Sequence, residues 1–578
     1  MEKQRFFATC ICAILMGFGI APAQAVTISP GKNIERALAD NINAHLTVYP
    51  APNDCIISQH YRKKLEAALQ KALHGLGYYQ YQIQTFEPND TNSCDIWQLE
   101  LQLEPRVTVS NTNLILLGEG KNDPILQSAL ASFPLQSGSP INHKDYEEGK
   151  SNLISTAILR GYLDFRFNQK QLTIHPQENK ATITLHADTG KRYRFGQIQG
   201  DIEPELLNLV TDVQTFSPGD HYDANLLNVF TQQLKQTGYF EQVSLRPLLD
   251  ARNADHVPLL LTVQQKPRHI VNFGVGYSSD TGARTTIGWQ RPRLNIDGHS
   301  LETELFVSRP EQLASVNYKI PLKNPTKNFV TLQLGVKSTD DNDTRSDTIS
   351  LAVKRHWAWS EKEWNSIGFL RYDQESFVQG GQDKQTTALL IPGITLSRLR
   401  SDGALNPAWG DRQIITFEGA SDSLLSDINL GRITAQSRWL RSFGEHRVFW
   451  RADLGAIATN SFQEVPSSLR YFAGGDQSIR GFGYQSLAPQ DESEQLIGGK
   501  YLYTSSIEYS YELNEKWRLA AFADVGNASD EFLKDPATGL GIGLHWSTII
   551  GPIRFYLARG NSDTESTWRF HFAMGAAL

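Results

Sequence analysis

The sequence predicts three small α+β domains followed by a 16-stranded antiparallel transmembrane β-barrel, and three observations lead to this prediction. An amphipathic helix that ends in Gly-Tyr and is followed by a strand recurs three times before residue 268. After residue 268 the helical period disappears, and segments of about eight to twelve residues alternate between apolar and polar side chains. Beyond the N-terminus no run of 18 apolar residues occurs. This excludes a helical membrane protein but leaves a barrel open, because barrel strands need only alternate.

The N-terminus has the pattern of a secretory signal peptide. Two basic residues precede an apolar run over residues 6–21, and Ala-Gln-Ala at residues 23–25 supplies the small-x-small pattern that a signal peptidase needs. We therefore assign residues 1–25 to the signal and expect the mature chain to begin at Val26. A retained transmembrane helix is the alternative, but the apolar run is short for a span.

Export makes a disulfide the expected state of the remaining cysteines. Cys10 and Cys12 leave with the signal, whereas Cys55 and Cys94 remain as one pair in an oxidising compartment. A Cys55–Cys94 disulfide would close a loop of about forty residues. The alternative, a metal site, lacks enough soft ligands nearby. We expect neither a metal nor a cofactor.

Three Gly-Tyr junctions divide residues 26–268 into repeats of about 80 residues. The junctions are Gly77-Tyr78, Gly161-Tyr162 and Gly238-Tyr239. The glycine of each junction suits the left-handed position that ends a helix, and an alternating strand closes each repeat. We therefore predict that helices pack on one face of a short sheet in each domain. The predicted domains are residues 26–105, 106–190 and 191–268.

Residues 269–578 are predicted to form the barrel. In residues 446–460, HRVFWRADLGAIATN, the apolar side chains share one parity and the charged ones share the other, so that one face would meet lipid and the other a polar interior. A soluble sandwich also alternates, but it would bury its aromatic residues. Here the tyrosines of one segment lie on its apolar face, as in an aromatic girdle. They are Tyr501, Tyr503, Tyr509 and Tyr511. About sixteen segments of this kind can be counted, and a closed bacterial barrel requires an even number.

A long segment without periodicity, at about residues 459–497, interrupts the barrel strands. Loops of this length are usually functional or disordered. This one contains YFAGGDQSIRGFGYQS, residues 471–486, whose aromatic residues and single arginine are not typical of disorder. A phosphate-binding loop is one alternative, but such a loop leads into a helix, and no helical pattern follows here.

Two carboxylates on the strands after this loop are its expected partners. Parity places Glu508 on the inner wall of the first strand and three residues on the inner wall of the second. Those three are Phe522, Asp524 and Gly526. If the loop folds into the barrel, Arg480 can reach both carboxylates as a bidentate donor that keeps its charge, and Gly481 allows its backbone to pass close to the wall. In the alternative, the carboxylates line a wet pore and Arg480 is extracellular.

Four motifs in the second half of the chain resemble those of one superfamily. SIRGF, comprising Ser478, Ile479, Arg480, Gly481 and Phe482, is similar to a V/I-R-G-F/Y loop motif. FADVG at residues 522–526 is similar to an F-x-D-x-G strand motif, and SIEY at residues 506–509 resembles the acidic strand between them. GIGLHWSTIIGPIRF at residues 541–555 resembles a penultimate hairpin. The chain thus resembles the outer-membrane assembly superfamily that includes BamA, TamA and the two-partner secretion transporters, and with three repeats it is most similar to the TamA family.

The resemblance implies that the repeats are polypeptide-transport-associated (POTRA) domains in the periplasm of a Gram-negative bacterium and that the barrel lies in the outer membrane. It implies a factor, not an enzyme, that inserts or secretes unfolded β-barrel and autotransporter clients, with residues 478–482 latching the loop to the inner wall. It also implies that a TamB-like protein anchored in the inner membrane docks on the first POTRA domain. Clients would pass into the lipid bilayer through a weak seam, because the first strand is short and Gly575 interrupts the last.

Other functions are less compatible with the sequence. A two-partner secretion pore for one dedicated client is an alternative, although such pores have two repeats and an N-terminal plug helix. The outer-membrane end of a lipid-transport bridge is another. An enzyme is disfavoured because the sequence contains neither Gly-x-Ser-x-Gly nor His-Glu-x-x-His. The formal net charge of -7 gives no electrostatic reason to expect nucleic-acid binding.

Overall fold

The structure, a computed structural model, describes nine stretches of the chain. They are residues 25–31, 34–52, 55–90, 94–200, 202–359, 363–403, 407–548, 551–563 and 565–574. The predicted signal peptide, apart from Ala25, lies outside the described residues, and so does Gly575.

Three repeats of similar architecture form the N-terminal part. The first contains β1 (Thr27–Pro30), α1 (Arg36–Leu46), α2 (Gln59–Gly75), β2 (Tyr81–Pro88) and β3 (Ile96–Leu103). The second contains β4 (Thr108–Leu117), α3 (Pro124–Ala131), α4 (His143–Leu159), β5 (Arg166–His175) and β6 (Lys180–Asp188). The third contains β7 (Arg194–Gln199), α5 (Pro204–Thr211), α6 (Ala224–Gln236), β8 (Phe240–Pro247) and β9 (His256–Gln265). The sheet orders are β1-β3-β2, β4-β6-β5 and β7-β9-β8, which confirms the predicted α+β repeats.

Each long helix of a repeat ends just before a predicted Gly-Tyr junction. Helices α2, α4 and α6 end two residues before Gly77, Gly161 and Gly238, whose φ angles are +89°, +91° and +82°. Glycine adopts positive φ without a steric penalty, so the chain can leave the helix and turn into the following strand. The same backbone geometry at all three junctions confirms the repeat.

The core of the first repeat joins its helices to the central strand. Leu65 and Leu69 of α2 are fully buried in one cluster with Trp97 of β3. Cys55, which precedes α2, and Cys94, which precedes β3, form a disulfide with their Cα atoms 5.6 Å apart. The indole Nε1 of Trp97 donates to the carbonyl of Cys94 at 3.0 Å. The disulfide therefore ties the start of the central strand to the segment that leads into the long helix.

Sixteen antiparallel strands follow and form one sheet in sequence order. They are β10 (Ile270–Ser278), β11 (Gly282–Arg291), β12 (Ser300–Ser308), β13 (Glu311–Pro321), β14 (Asn328–Asp341), β15 (Thr344–Trp359), β16 (Trp364–Gln379), β17 (Gln385–Ser401), β18 (Trp409–Ala420), β19 (Leu430–Phe443), β20 (His446–Thr459), β21 (Tyr501–Asn514), β22 (Trp517–Ser529), β23 (Ala537–Thr548), β24 (Gly551–Asn561) and β25 (Ser566–Met574). The first and last of these strands contact each other, so the sheet is a nearly closed barrel, as predicted. None of the helices in the nine described stretches has the length and apolar character needed to cross a bilayer.

The two faces of the barrel strands carry different side chains. On β21, Ile507 and Tyr509 are exposed on the outer face, whereas Glu508 is buried on the inner face. Tyr503 has outward parity, as predicted, but it is buried. The turn before β23 covers it, and its hydroxyl donates to the carbonyl of Lys534 at 2.7 Å. One member of the predicted aromatic girdle is therefore packed against protein rather than open to lipid.

Replacement of both cysteines by serine should destabilise the first repeat. The disulfide joins residues 39 apart, and opening a loop of this size lowers the free energy of unfolding by about 3 to 4 kcal/mol through the entropy of the unfolded chain. Hydrogen–deuterium exchange of the full chain should show faster exchange of the buried α2 amides in Cys55→Ser/Cys94→Ser. The α4 amides in the same sample are the internal control and should not change. Equal α2 exchange in both proteins would contradict this prediction.

Candidate functional site

The chain between β20 and β21, residues 460–500, packs inside the barrel, and we call it the inner loop. Its apolar side chains form one buried cluster with inward-facing side chains of the wall. From the inner loop the cluster contains Val465, Leu469, Tyr471, Ala473, Ile479 and Phe482, and from the strands Leu389, Ile391, Leu430, Ile457, Ala528 and Ala537. Residues 471–500 contain no helix, so the Gly-rich stretch lacks the helix N-terminus of a phosphate-binding loop.

Arg480 of the inner loop contacts both predicted carboxylates. Its Nε and Nη2 donate to the two oxygens of Asp524 at 2.8 and 2.7 Å, and its Nη1 donates to Oε2 of Glu508 at 2.6 Å. The backbone N–H of Arg480 also donates to Asp524, at 2.9 Å, and Nη2 donates to Ser506 Oγ at 2.9 Å. Arg480 is only 3% exposed, so the alternative of an extracellular arginine is wrong.

Two aromatic rings enclose the guanidinium of Arg480. Its Cζ lies 3.4 Å from the ring centroid of Phe522 and 4.7 Å from that of Tyr556. The rings attract the cation through their quadrupoles. They also exclude water, which strengthens the ion pairs and raises the penalty for leaving one partner alone. The loop and the wall are therefore joined by ion pairs, and removal of either partner leaves the other buried without a counter-charge.

A second buried arginine, Arg451 of β20, holds the backbone of the inner loop. Its Nη2 and Nη1 donate to the carbonyls of Ser478 and Asp476 at 2.8 and 3.2 Å. Arg451 interacts electrostatically with Arg480 and with the carboxylates Asp453, Glu508 and Asp524. Opposite charges in contact offset part of the desolvation cost of burying them. Parity places Arg451 on the inner face, but nothing in the sequence assigned it a role.

Gly481 lies against strand β24, and there is no room for a side chain between them. Its φ is +97°, and a Cβ here would lie 2.3 Å from the backbone nitrogen of Gly560 on β24. Its N–H donates to Nε2 of His571 at 3.0 Å, and its carbonyl accepts a hydrogen bond from Thr567 Oγ1 at 2.6 Å. The absence of a side chain thus lets the loop backbone touch the barrel backbone directly.

The other residues of the predicted site lie beside Arg480 in the inner loop or on β22. Ser478 Oγ accepts a backbone N–H from within the inner loop at 3.2 Å. Ile479 is fully buried in the apolar cluster, and the ring of Phe482 contacts Gly560. Gly526 lies two residues beyond the acidic residue of β22, on the same face. Of the five loop residues, Arg480 reaches the carboxylates on β21 and β22, whereas Gly481 and Phe482 lie against Gly560 of β24.

Several residues that touch the motif were not singled out from the sequence. A Cβ on Gly539 would lie 2.2 Å from the carbonyl oxygen of the motif arginine. Gly539 begins a run of alternate glycines with Gly541 and Gly543, which indicates a smooth inner face of β23. Tyr556 and His571 also point inward. Which inward residue meets the loop depends on the stagger between strands, which the sequence does not reveal.

A second anchor holds the beginning of the inner loop. Glu375 of β16 is buried and accepts hydrogen bonds from the backbone N–H and the hydroxyl of Ser468 at 3.1 and 2.5 Å. Arg470 donates to three carbonyls of the inner loop at 2.9, 2.9 and 2.6 Å. The inner loop is therefore fixed to the wall near its beginning as well as at the Arg480 cluster.

Two family models match separate parts of the chain. Residues 269–577 match the model described as the Omp85 superfamily domain, which is more than half of the chain. Residues 26–105 match the model described as POTRA domain, TamA domain 1. The two matches cover the barrel and the first repeat, respectively.

The curated relatives include BamA, described as an outer membrane protein assembly factor. BamA of Nitratidesulfovibrio vulgaris strain Hildenborough is 24% identical over 397 residues, which are 64% of this chain and 49% of that protein. BamA of Buchnera aphidicola is 22% identical over 258 residues, which are 42% of this chain and 39% of that protein. The chain thus spans about half the length of the first relative and less of the second.

A solved structure with the same fold is BamA of Haemophilus ducreyi lacking POTRA domains 1–3. The TM-score is 0.64 at 16% sequence identity, and the match covers 80% of this chain and 99% of that chain. This similarity supports the order of POTRA-like repeats and a 16-stranded barrel.

Loss of Arg480 should release the inner loop. Arg480→Ala removes the guanidinium that pairs with the buried carboxylates Glu508 and Asp524, and removal of one partner of a buried ion pair costs about 3 to 5 kcal/mol. We expect cleavage of the inner loop by an added protease to become about tenfold faster or more. Arg345→Ala is the matched control, because Arg345 pairs with Asp340 in an exposed ion pair, and cleavage should not change. Unchanged cleavage in folded Arg480→Ala barrels would show that the cluster does not hold the loop.

A methyl group on Gly481 should also displace the inner loop. Gly481→Ala combines the strain of a positive φ with a clash against Gly560, whereas Gly444→Ala has a φ of +60° and no atom within 4 Å of the added Cβ. The shared φ strain is worth about 1 to 2 kcal/mol. Protease cleavage of the inner loop should therefore accelerate in Gly481→Ala only. Equal cleavage in the two variants would mean that close contact with the wall does not position the loop.

Proposed function

The chain belongs to the Omp85 superfamily, and from this membership we propose that it assembles or translocates other β-barrel proteins in the outer membrane. Its barrel lies in the outer membrane, and its POTRA domains lie in the periplasm. We propose that client strands enter by pairing with β10 at the seam, which is the boundary between β10 and β25.

The exposed edge of β10 is the observation that carries this proposal. Val271, Phe273 and Val275 are 69%, 70% and 69% exposed. Among the described residues, β10 forms a ladder of paired residues with β11 but none with β25. The other neighbouring strands of the barrel form ladders of eight residues or more. Across the seam, the N–H of Ser279 donates to the carbonyl of Phe572 at 3.2 Å, and the N–H of Phe572 donates to Ser279 Oγ at 3.1 Å.

An edge of this kind supplies what an unfolded strand lacks in a bilayer. Each backbone polar group that is unpaired in hydrocarbon costs several kcal/mol. The edge of β10 presents N–H and C=O groups that a client strand can pair with. A client that adds to this edge satisfies its backbone as it enters, and no covalent bond has to change. The proposed activity is therefore templating of strand pairing.

The type and number of repeats support an assembly role and suggest a partner. Residues 26–105 match a TamA-type POTRA model, which supports docking of a TamB-like protein, anchored in the inner membrane, on the first repeat. Three repeats precede the barrel, whereas a pore for one dedicated client is expected to have two. We therefore favour assembly of several clients over secretion of one.

A covalent link across the seam should block client assembly. The rings of Tyr277 and Phe572 face each other across the seam with centroids 6.0 Å apart, so Tyr277→Cys/Phe572→Cys places two thiols at the seam. In vesicles that contain the oxidised double variant, client barrels should fail to become heat-modifiable and protease-resistant. The reason is that the edge of β10 can no longer separate from β25.

The control places a cysteine pair between two ordinary strands. Ala435 and Leu454 are direct partners on β19 and β20, so Ala435→Cys/Leu454→Cys gives a crosslink of the same chemistry away from the seam. Clients should assemble normally in that oxidised control. Reduction should restore assembly in the seam variant, and any effect of reducing the native disulfide is common to both proteins. Normal client assembly with the seam crosslinked would disprove entry at the seam.

A further inference from the structure

The inner loop touches β25 on one side of the seam and the turn after β10 on the other. His571, which precedes Phe572 on β25, points into the barrel and is 0% exposed. Its Nε2 lies 3.0 Å from the backbone nitrogen of Gly481 in the inner loop. Its Nδ1 lies 3.6 Å from Oδ1 of Asp280, in the turn between β10 and β11. One imidazole thus faces the loop on one side and the first hairpin on the other.

The hydrogen bond to Gly481 determines how His571 faces Asp280. A backbone N–H can only donate, so Nε2 of His571 must be the acceptor. A ring that accepts at Nε2 carries its hydrogen on Nδ1, which is the nitrogen on the side of Asp280. At 3.6 Å the contact with Asp280 is electrostatic, longer than an ordinary hydrogen bond. The ring orientation therefore joins a loop donor to a carboxylate on the opposite side of the seam.

Two further hydrogen bonds tie the same groups together. Oδ2 of Asp280 accepts the backbone N–H of Asp476 at 2.6 Å, which connects the first hairpin to the inner loop. Thr567 Oγ1 of β25 donates to the carbonyl of Gly481 at 2.6 Å, which connects the last strand to the same loop. The inner loop thus bridges the seam from inside, and His571 contacts both the loop and the first hairpin.

We propose that His571 couples closure of the seam to the position of the inner loop. His571 is a positioning residue, because it acts through Gly481 and Asp280 rather than on a client. The inference rests on the proposed function only in treating the seam as the place of client entry. Gly481 follows Arg480 directly, so a client that pulls β25 away from β10 also pulls on the residue next to the buried ion pairs. Separation of the strands and release of the loop then become one linked event.

Among the described residues, the direct contacts across the seam are few, which makes the contacts of the loop important. The direct contacts include the two hydrogen bonds between Ser279 and Phe572 and the ring contact of Tyr277 with Phe572, and the loop adds contacts through His571, Asp280 and Gly481. Loss of hydrogen bonds at such a weak boundary should be visible as faster local opening. The ion pairs of Arg480 with Glu508 of β21 and Asp524 of β22 hold the same loop away from the seam.

Hydrogen–deuterium exchange of the purified full chain, without any client, tests the coupling. In His571→Ala we expect about tenfold faster exchange in two segments at once, residues 272–279 at the seam and residues 475–484 in the inner loop. His571→Gln should restore slow exchange in both segments, because its amide can accept from Gly481 and donate toward Asp280. Heat-modifiable mobility confirms in each variant that the barrel is folded.

A matched variant removes a buried imidazole away from the seam. His545 of β23 also points inward, with its Nε2 3.5 Å from Oε1 of Glu508, which binds Arg480. His545→Ala should therefore accelerate exchange in the inner loop but not at residues 272–279. Asp280→Ala should also accelerate exchange in both segments, because it removes the partner of His571 and of the Asp476 N–H at the same time.

The outcomes separate this inference from the proposed function. A His571→Ala chain in which only the loop exchanges faster, or only the seam, would overturn the coupling, as would unchanged exchange in both. Seam exchange in His545→Ala equal to that in His571→Ala would overturn it as well. Because no client is present, coupled exchange in a protein that fails to assemble clients would disprove the function and leave the coupling intact.

Discussion

A strand in lipid must pair every backbone N–H and C=O with another strand, and this requirement organises the whole barrel. It forces the sheet to close upon itself, and within the described part of the chain β10 and β25 share fewer contacts than any other two neighbouring barrel strands. The interior then has to be occupied without exposing its own polar groups. The inner loop meets this demand by directing its donors at the wall, at β25 and at the turn between β10 and β11. The backbone constraint in the membrane thus determines what the lumen must contain.

Buried charge gives the inner loop one position rather than many. An apolar cluster alone would tolerate small shifts of the loop, since dispersion contacts are not directional. Arg480 instead requires two carboxylates, a hydroxyl and two rings in fixed places, and Arg451 requires two particular carbonyls. Such a cluster contributes specificity more than net stability, because desolvation offsets much of the attraction between the charges. The loop is therefore held in one defined position against the wall.

The periodicity of the sequence was sufficient to predict the three repeats, the number of strands and the inward faces of Glu508 and Asp524. Those predictions depend on local rules, namely the two-residue period of a strand and the left-handed glycine after a helix. The contacts of Arg451, Glu375 and His571 depend instead on the stagger between strands and on the path of a loop that returns to the first hairpin. Asp280 meets Asp476 although 196 residues separate them in the chain. A local sequence pattern cannot predict a contact between residues so far apart in the chain.

The wall of the barrel has an uneven height. Strands β10, β11 and β12 contain 9, 10 and 9 residues, whereas β15, β16 and β17 contain 16, 16 and 17. At about 3.4 Å per residue, this is about 30 Å of strand beside the seam against about 55 Å across the barrel. A tilted strand of about nine to eleven residues is just long enough to cross a bilayer. The strands beside the seam therefore have almost no residues to spare beyond that span, whereas the strands across the barrel are long enough to extend well past it.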